Sequence, residues 1–360
     1  MSNSAAEMIR RRASQLTASL NVTHPIIGGP MAGVGTPALA AAVSNAGGLG
    51  ALGAGMMEPA AIEEAVSRIR ALTAQPFAVN LFVTPRPEGD LDQLTRMTAR
   101  LARYRTELGL ARQKIPSRFA PDFDAQFDAV LAARVPVVSF TFGALERNRI
   151  EALHAQGAKV IGTATCVREA RLLAAVGCDA VVASGIEAGG HRATFAVPFE
   201  QAQVGLFALL PQVAMAVDVP VIAAGAVMTA RQAAAAMWLG ASGVQLGSAL
   251  LRTPESGAGA AYREALATVE DIGTRQTRAF SGRPARGVIN RVMNEIEAGG
   301  DIPPYPLQNK LTSEIRSAAG EQGKADYLSL WAGQAAALAR ELPAEQVVRD
   351  MALELNQFLN

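Results

Sequence analysis

Cysteine, histidine and aromatic residues are all scarce in this sequence, and each scarcity removes a class of explanation. Its two cysteines, Cys166 and Cys178, supply neither a disulfide framework nor zinc-ligand spacing, so a reducing cytoplasm is the expected location. The three histidines form no H-x-x-x-H pair or carboxylate–histidine cluster, and no metal is expected. Aromatics amount to only 5%, while alanine and glycine abound, which points to close helix-on-sheet packing. Charge is thin as well, at 18% of residues with a formal net charge of +1. That balance offers no electrostatic footprint for nucleic acid or an anionic membrane. The short cluster Arg10, Arg11, Arg12 reads as a solvated helix face. Residues 1 to 20 lack an apolar core segment, so no secretory signal is expected. One uncharged stretch, from Pro25 to Met57, is long enough to span a bilayer. Nine glycines together with Pro30 and Pro37 break it, and it reads instead as strand, glycine loop, helix and strand.

What is present is a repeating pattern. Half of the 360 residues are hydrophobic, enough for a large core. Short apolar runs bounded by glycine or proline predict strands over 25–28, 49–52, 77–82, 135–140, 159–162, 180–183, 219–223 and 243–246. Helical patterns fall between them over 37–45, 60–71, 145–156, 167–175, 204–217 and 230–239. Thr36, Thr165 and Thr229 mark helix starts, and Gly47, Gly157, Gly177 and Gly240 mark helix ends. Eight strands with intervening helices favour a closed (β/α)8 TIM barrel over residues 1–255, rather than an open doubly wound sheet. Two regions fall outside the repeat: an insertion over 84–134 and a tail over 256–360, expected to be helical. Together they are expected to form a small, mainly helical substrate or cap region over the barrel's active face.

In such a barrel the residues just after each strand converge on one mouth. The first strand leads into Gly28, Gly29, Pro30, Met31 and Ala32, a small, backbone-rich wall suited to a planar ring. Asn80 ends the third strand with an amide that both donates and accepts. The fourth leads into Ser139, Phe140, Thr141, Phe142 and Gly143. The sixth leads through Ser184 to Glu187, Ala188, Gly189, Gly190, His191 and Arg192. After the seventh and eighth strands stand Ala224, Gly225, Ala226 and then Gln245, Leu246, Gly247, Ser248. Bare backbone N–H groups in those two loops suit a phosphate, although ordinary tight turns use glycine in the same way. Gly33-Val34-Gly35-Thr36-Pro37-Ala38 also fits a dinucleotide fingerprint. The second strand, however, ends without a carboxylate for a ribose, and that reading is not favoured.

His191 is the sharpest single residue. An imidazole in a glycine-rich loop beyond a strand can take a proton near neutral pH, as a general base does. The bland alternative is a histidine that hydrogen-bonds loop backbone. Towards the C-terminus, Tyr305 stands between Pro304 and Pro306 as a rigid aromatic that could cover a substrate, and Lys310 could attract an anion.

The runs HPIIGGPMAGVGTPALAAAVSNAGGLGALGAG, PFAVNLFV, VVSFTFG, EAGGHR, VIAAGAVM, GVQLGSALL, SGRPARG and YPLQNKLT carry a resemblance. In order and spacing the chain resembles the nitronate monooxygenases, formerly 2-nitropropane dioxygenases, over most of its length. The resemblance implies an FMN-dependent barrel that oxidises alkyl nitronates, such as propionate 3-nitronate, with O2 to a carbonyl compound and nitrite. It implies His191 as catalytic base or anion partner. Flavin contacts are implied at Asn80, Gly189, Gly225 and Gln245 to Ser248, and Tyr305 and Lys310 near the substrate. Gly29, Pro30, Met31, Ser184, Gly190 and Ala226 complete the expected cofactor wall, and Phe142 joins the substrate side. Departures stand at Ser184, where the family commonly has glutamine, and at Ala226 and Ala193, where it has glycine. The expected partners are a small-molecule nitronate and O2, with no nucleic acid and no membrane; a homodimer is left open. The nearest rival is an NAD(P)H-dependent quinone or enoyl-thioester reductase on the same FMN barrel. A flavin-binding protein without turnover is a third reading.

Overall fold

A computed structural model describes residues 3–84 and 89–359. Residues 85–88, at the start of the expected insertion, lie outside that description. The strands, in chain order, are β1 (Ile26–Gly28), β2 (Gly50–Gly53), β3 (Phe77–Phe82), β4 (Val137–Thr141), β5 (Lys159–Ala164), β6 (Ala180–Ser184), β7 (Gly190–His191), β8 (Val221–Ala224), β9 (Gly243–Leu246), β10 (Thr274–Thr277) and β11 (Ala285–Val288). The α-helices are α1 (Asn3–Leu20), α2 (Pro37–Asn45), α3 (Pro59–Leu72), α4 (Leu91–Glu107), α5 (Phe123–Ala132), α6 (Arg147–Ala155), α7 (Val167–Val176), α8 (Leu206–Ala216), α9 (Ala230–Trp238), α10 (Ala260–Thr268), α11 (Arg291–Ala298), α12 (Leu307–Glu321) and α13 (Ala344–Leu359). No helix among the described residues is long and apolar enough to cross a membrane.

Eight strands run parallel in the order β1-β9-β8-β6-β5-β4-β3-β2. Backbone bonds from Gly28 to the Leu49 carbonyl, 2.8 Å, and from Leu49 to the Ile26 carbonyl, 2.9 Å, join the two ends and close the barrel. The fold is therefore the expected (β/α)8 TIM barrel.

Strand alternation then decides what each side chain meets. Ile27, Ala78, Val137, Ile161, Val182 and Ile222 point inward and form the barrel's inner core with Leu16 and Leu20 of α1. Ile26, Val79, Val138, Val160, Val181 and Val244 point outward against the surrounding helices. The basic cluster of α1 has more defined work than solvation: Arg10 donates to the Leu359 carbonyl at 2.7 Å and Arg12 to the Met237 carbonyl at 3.0 Å. Both are cations at or near the C-terminal ends of helices, α13 and α9, where the helix dipole favours them.

The tail departs from its helical expectation. β10 and β11 pair antiparallel, and β11 pairs in turn with β7, so that Ala285 faces His191 and Arg286 faces Gly190. A second apolar cluster joins Leu94, Met97 and Leu101 of α4 to Met293 and Ile296 of α11 and Leu311 and Ile315 of α12. Helix α13 instead adds Val347, Val348, Met351 and Leu355 to the apolar layer around the barrel.

Candidate active site

The inward positions that fill the barrel lower down give way at its mouth to polar or small groups. Asn80, Thr141, Thr163, Ser184 and Gln245 all line one cavity, as the period-two alternation from the inner core requires. The loops complete its wall with Gly29, Pro30, Met31, Phe142, Gly189, Gly190, His191, Gly225, Ala226, Gly247 and Ser248. Leu246 is the exception among the expected cofactor residues. It sits one position from Gln245, so its side chain points outward into the helix layer and is fully buried. Only its carbonyl faces the loops, accepting from the Gly29 N–H at 2.7 Å.

On the glycine side of the cavity, Gly225 and Ala226 both take left-handed backbone, with φ of +122° and +54°. Their N–H groups donate to no protein acceptor among the described residues, and they stand beside the loop of Gly247 and Ser248. Ser248 Oγ accepts from the Gly333 N–H at 2.9 Å, which draws the tail over this corner. The approach is close: a Cβ on Gly189 would lie 2.5 Å from the Gly333 nitrogen. Asn80, nearly fully buried, donates its amide to Ser139 Oγ at 3.0 Å and Thr141 Oγ1 at 3.2 Å. Free N–H groups on left-handed turns suit a phosphate, and the Asn80 amide, with both its N–H groups engaged, keeps an oxygen to accept from a ring edge, a set that fits a phosphate-bearing planar cofactor such as FMN.

An aromatic wall lines the same cavity. The His191 ring stands 5.6 Å from Phe142, 5.7 Å from Tyr305 and 5.4 Å from Trp331, centre to centre. Phe82 closes against Phe142 at 4.6 Å. Pairing of β7 with β11 fixes the backbone of His191, which the sequence placed in a loop. Its neighbour Arg192, nearly fully buried, donates to the carbonyls of Ser184, Thr165 and Ala202. His191 Nε2 is shielded from solvent and has no hydrogen-bond partner. Burial, reinforced by the charges of Arg283 and Arg316, pushes the imidazole down to about 3. The ring is thus an uncharged proton acceptor throughout the neutral range.

Tyr305 lies at the edge of this site, on the wall between the cavity and an outer pocket lined also by Arg192, Arg278 and Arg283. Its hydroxyl contacts Met56 Sδ at 2.9 Å, and burial raises its pKa. Lys310 is not brought to the cavity; it is an exposed residue of α12. Trp331 and Arg316 are the residues that local pattern did not single out. The SGRPARG run contains Arg283, but nothing nearby in sequence marks Trp331 or Arg316 as facing the barrel.

Comparison with known proteins places the fold and the family. A nitronate monooxygenase family model matches residues 13–354. A probable nitronate monooxygenase of Staphylococcus aureus (strain Newman) is 40% identical over 348 residues, 96% of this chain and 98% of that one. Among solved structures, a nitroalkane oxidase from Streptomyces ansochromogenes superposes with a TM-score of 0.87 at 42% identity, covering 96% of this chain and 98% of the other. FabK from Thermotoga maritima superposes with a TM-score of 0.75 at 30% identity, covering 95% and 96%. The chain belongs to the nitronate monooxygenase family of oxidoreductases.

Proposed function

We propose that this protein binds FMN at the mouth of its barrel and oxidises small alkyl nitronates, propionate 3-nitronate or a close analogue, with O2 to a carbonyl compound and nitrite. The observation that carries the reading is an uncharged, unpartnered imidazole lining a cavity that residues with free backbone N–H groups also line. Gly225, Ala226, Gly247 and Ser248 would hold the phosphate; Asn80 and Gln245 would meet the edge of the ring system, against the wall of Gly29, Pro30 and Met31. Bound there, FMN supplies the electron acceptor that the protein's own side chains lack.

The chain's residues bind, orient and shield. Phe82, Phe142, Tyr305 and Trp331 exclude water from the His191 face and give a small alkyl group an apolar seat. A neutral nitroalkane must lose its α-proton before oxidation, and His191 Nε2, uncharged and unpartnered, is the acceptor the site offers, although the burial that keeps it uncharged makes it a weaker base than a free imidazole. A nitronate arrives already deprotonated. Towards it, an imidazole held neutral can offer only an N–H hydrogen bond, without charge.

His191→Asn separates these roles. Turnover of a neutral nitroalkane falls by about 10²-fold or more, whereas turnover of the matching nitronate stays within roughly tenfold, the scale of one lost hydrogen bond. Oxygen-electrode assays on both forms provide the measurement, and equal losses would refute the base role. In the wild type, His191 imposes no loss of neutral-nitroalkane activity between pH 8 and roughly pH 5, since protonation near 3 lies below that window. Rapid bleaching of the flavin by NADH without oxygen would assign the protein to reductive chemistry instead.

A further inference from the structure

Trp331 owes its place beside His191 to β11. Gly287 pairs with Arg275 of β10 along one edge of that strand, so its antiparallel bridge to Trp331 lies along the other edge, the one that β7 occupies. There His191 stands opposite Ala285 and Trp331 opposite Gly287. Positions two apart on a strand are separated by about 6.7 Å and send their side chains to the same face. One strand thus sets the two rings side by side, 5.4 Å between centres and tilted by 56°. At that spacing the rings are in direct contact.

The tryptophan is also clamped by its other neighbours. The Val288 N–H donates to the Leu330 carbonyl at 2.8 Å and the Ala332 N–H to the Arg286 carbonyl at 3.1 Å, one bond on each side of Trp331. The Tyr262 hydroxyl, from α10, donates to the Trp331 carbonyl at 2.6 Å. A fully buried ring, Phe280, packs against the indole at 5.8 Å and nearly at right angles. Gly287 is what permits the fit. A Cβ there would lie 2.8 Å from the Leu330 carbonyl oxygen and 3.0 Å from Trp331 Cε3. The last glycine of the SGRPARG run is therefore a seat for the indole.

Trp331 lines the cavity, and among the described residues its ring lies nearest to His191, ahead of Phe142, Tyr305 and Phe82. A chain bound at His191 meets on this side an indole that has no room to retreat. We propose that Trp331 is a specificity-determining residue that limits the length of the alkyl chain accepted beside His191, and that Gly287 is its positioning residue. The proposal rests on the nitronate reading of the site and names the substrate class within it, short unbranched alkyl nitronates. A fixed wall in an apolar seat discriminates between chains by about tenfold or more for a misplaced methylene. A wall free to repack would not.

The test compares propyl-1-nitronate with hexyl-1-nitronate on the FMN-loaded enzyme. Wild-type kcat/KM falls by about tenfold or more from the shorter to the longer chain. Trp331→Ala, which removes the wall, raises the hexyl-to-propyl ratio of kcat/KM by about tenfold or more. Trp331→Phe, which keeps a smaller ring against Phe280, raises it less. Trp331→Leu stands in if the alanine variant does not fold. Gly287→Ala, whose methyl displaces the indole, changes the ratio while Trp331 is present and has no further effect on it in a Trp331→Ala background, as expected for a residue that acts through another. A wild-type ratio that is already flat, or equal losses on both substrates in every Trp331 variant, would overturn the proposal.

A turnover-independent arm keeps this separate from the nitronate reading. Butanoate and heptanoate share the planar anionic head of the two nitronates at the same chain lengths, and their binding to the FMN-loaded protein is measured by calorimetry. Heptanoate that binds about tenfold or more weakly than butanoate in the wild type, with the gap closing in Trp331→Ala, supports the wall even if no nitronate is turned over. A gap that survives in Trp331→Ala, or no preference for the shorter acid in the wild type, defeats the proposal even if nitronates are substrates.

Discussion

Ala226 shows how a single side chain can sit at odds with its backbone and still serve the site. Its φ of +54° is one that an L-residue adopts at a cost of about 1–2 kcal/mol relative to right-handed backbone. The turn nevertheless leaves two neighbouring N–H groups, of Gly225 and Ala226, without a protein acceptor among the described residues at the wall of the cavity. Glycine would carry no such strain but would lose about 0.5–1 kcal/mol to its freer unfolded state. The strain exceeds that loss. Ala226→Gly is therefore expected to stabilise the protein by up to about 1 kcal/mol, seen as a melting temperature higher by a degree or two in calorimetry. A variant that melts lower would show that the turn carries no such strain. Sequence comparison flags Ala226 as a departure, but the sign of φ that makes it matter is visible only in the fold.

Among the elements, the connection that holds His191 in place runs through α7. Glu169, in that helix's first turn, is completely buried. It accepts from the backbone and hydroxyl of Thr165, at 2.7 and 2.6 Å, and from the backbone of Phe195 and Ala196, at 2.6 and 3.0 Å. One carboxylate thus ties the end of β5 to the segment that follows β7. Glu169→Ala leaves four donors without their acceptor and the nearby Arg192 without its compensating charge. The expected cost is about 3–5 kcal/mol, read as a shift in the urea midpoint; a loss below about 1 kcal/mol would show that water replaces the carboxylate freely. The barrel strands could be read in the sequence because each is a buried apolar run between glycine or proline breaks. β7, β10 and β11 could not. They are two to four residues long, TRQT is largely polar, and the pairing of His191 with Ala285 joins distant parts of the chain. No periodicity records such a contact.

At the scale of the whole molecule, the barrel and the tail meet at the site itself. The glycine loops, Asn80 and His191 were legible because strand order alone brings the ends of parallel strands to one mouth. Trp331 and Arg316 come from the tail, where a surface helix or loop carries no local sign of which side faces back toward the barrel. The joint they complete is polar and specific. Arg286 donates to the Ile186 carbonyl at 3.1 Å, Arg283 to Arg192, and Gly333 to Ser248, while α13 packs into the barrel's own apolar layer. Opening the tail away from the barrel would expose buried guanidinium groups, unpair β7 and strip a helix from the core. The two parts are therefore expected to unfold together. The two tryptophans allow this to be measured, since Trp238 lies on barrel helix α9 and Trp331 in the tail against His191. Urea titrations of Trp238→Phe and Trp331→Phe, each followed by the remaining tryptophan and by far-ultraviolet circular dichroism, should give coincident midpoints once each variant's own stability is matched against its dichroism curve. A Trp331 signal that moves at lower urea than the dichroism of the same variant would mean that the tail opens first. His191 would then lose its β11 partner and its arginine neighbours before the barrel melts, and activity would fall with the Trp331 signal rather than with the helices.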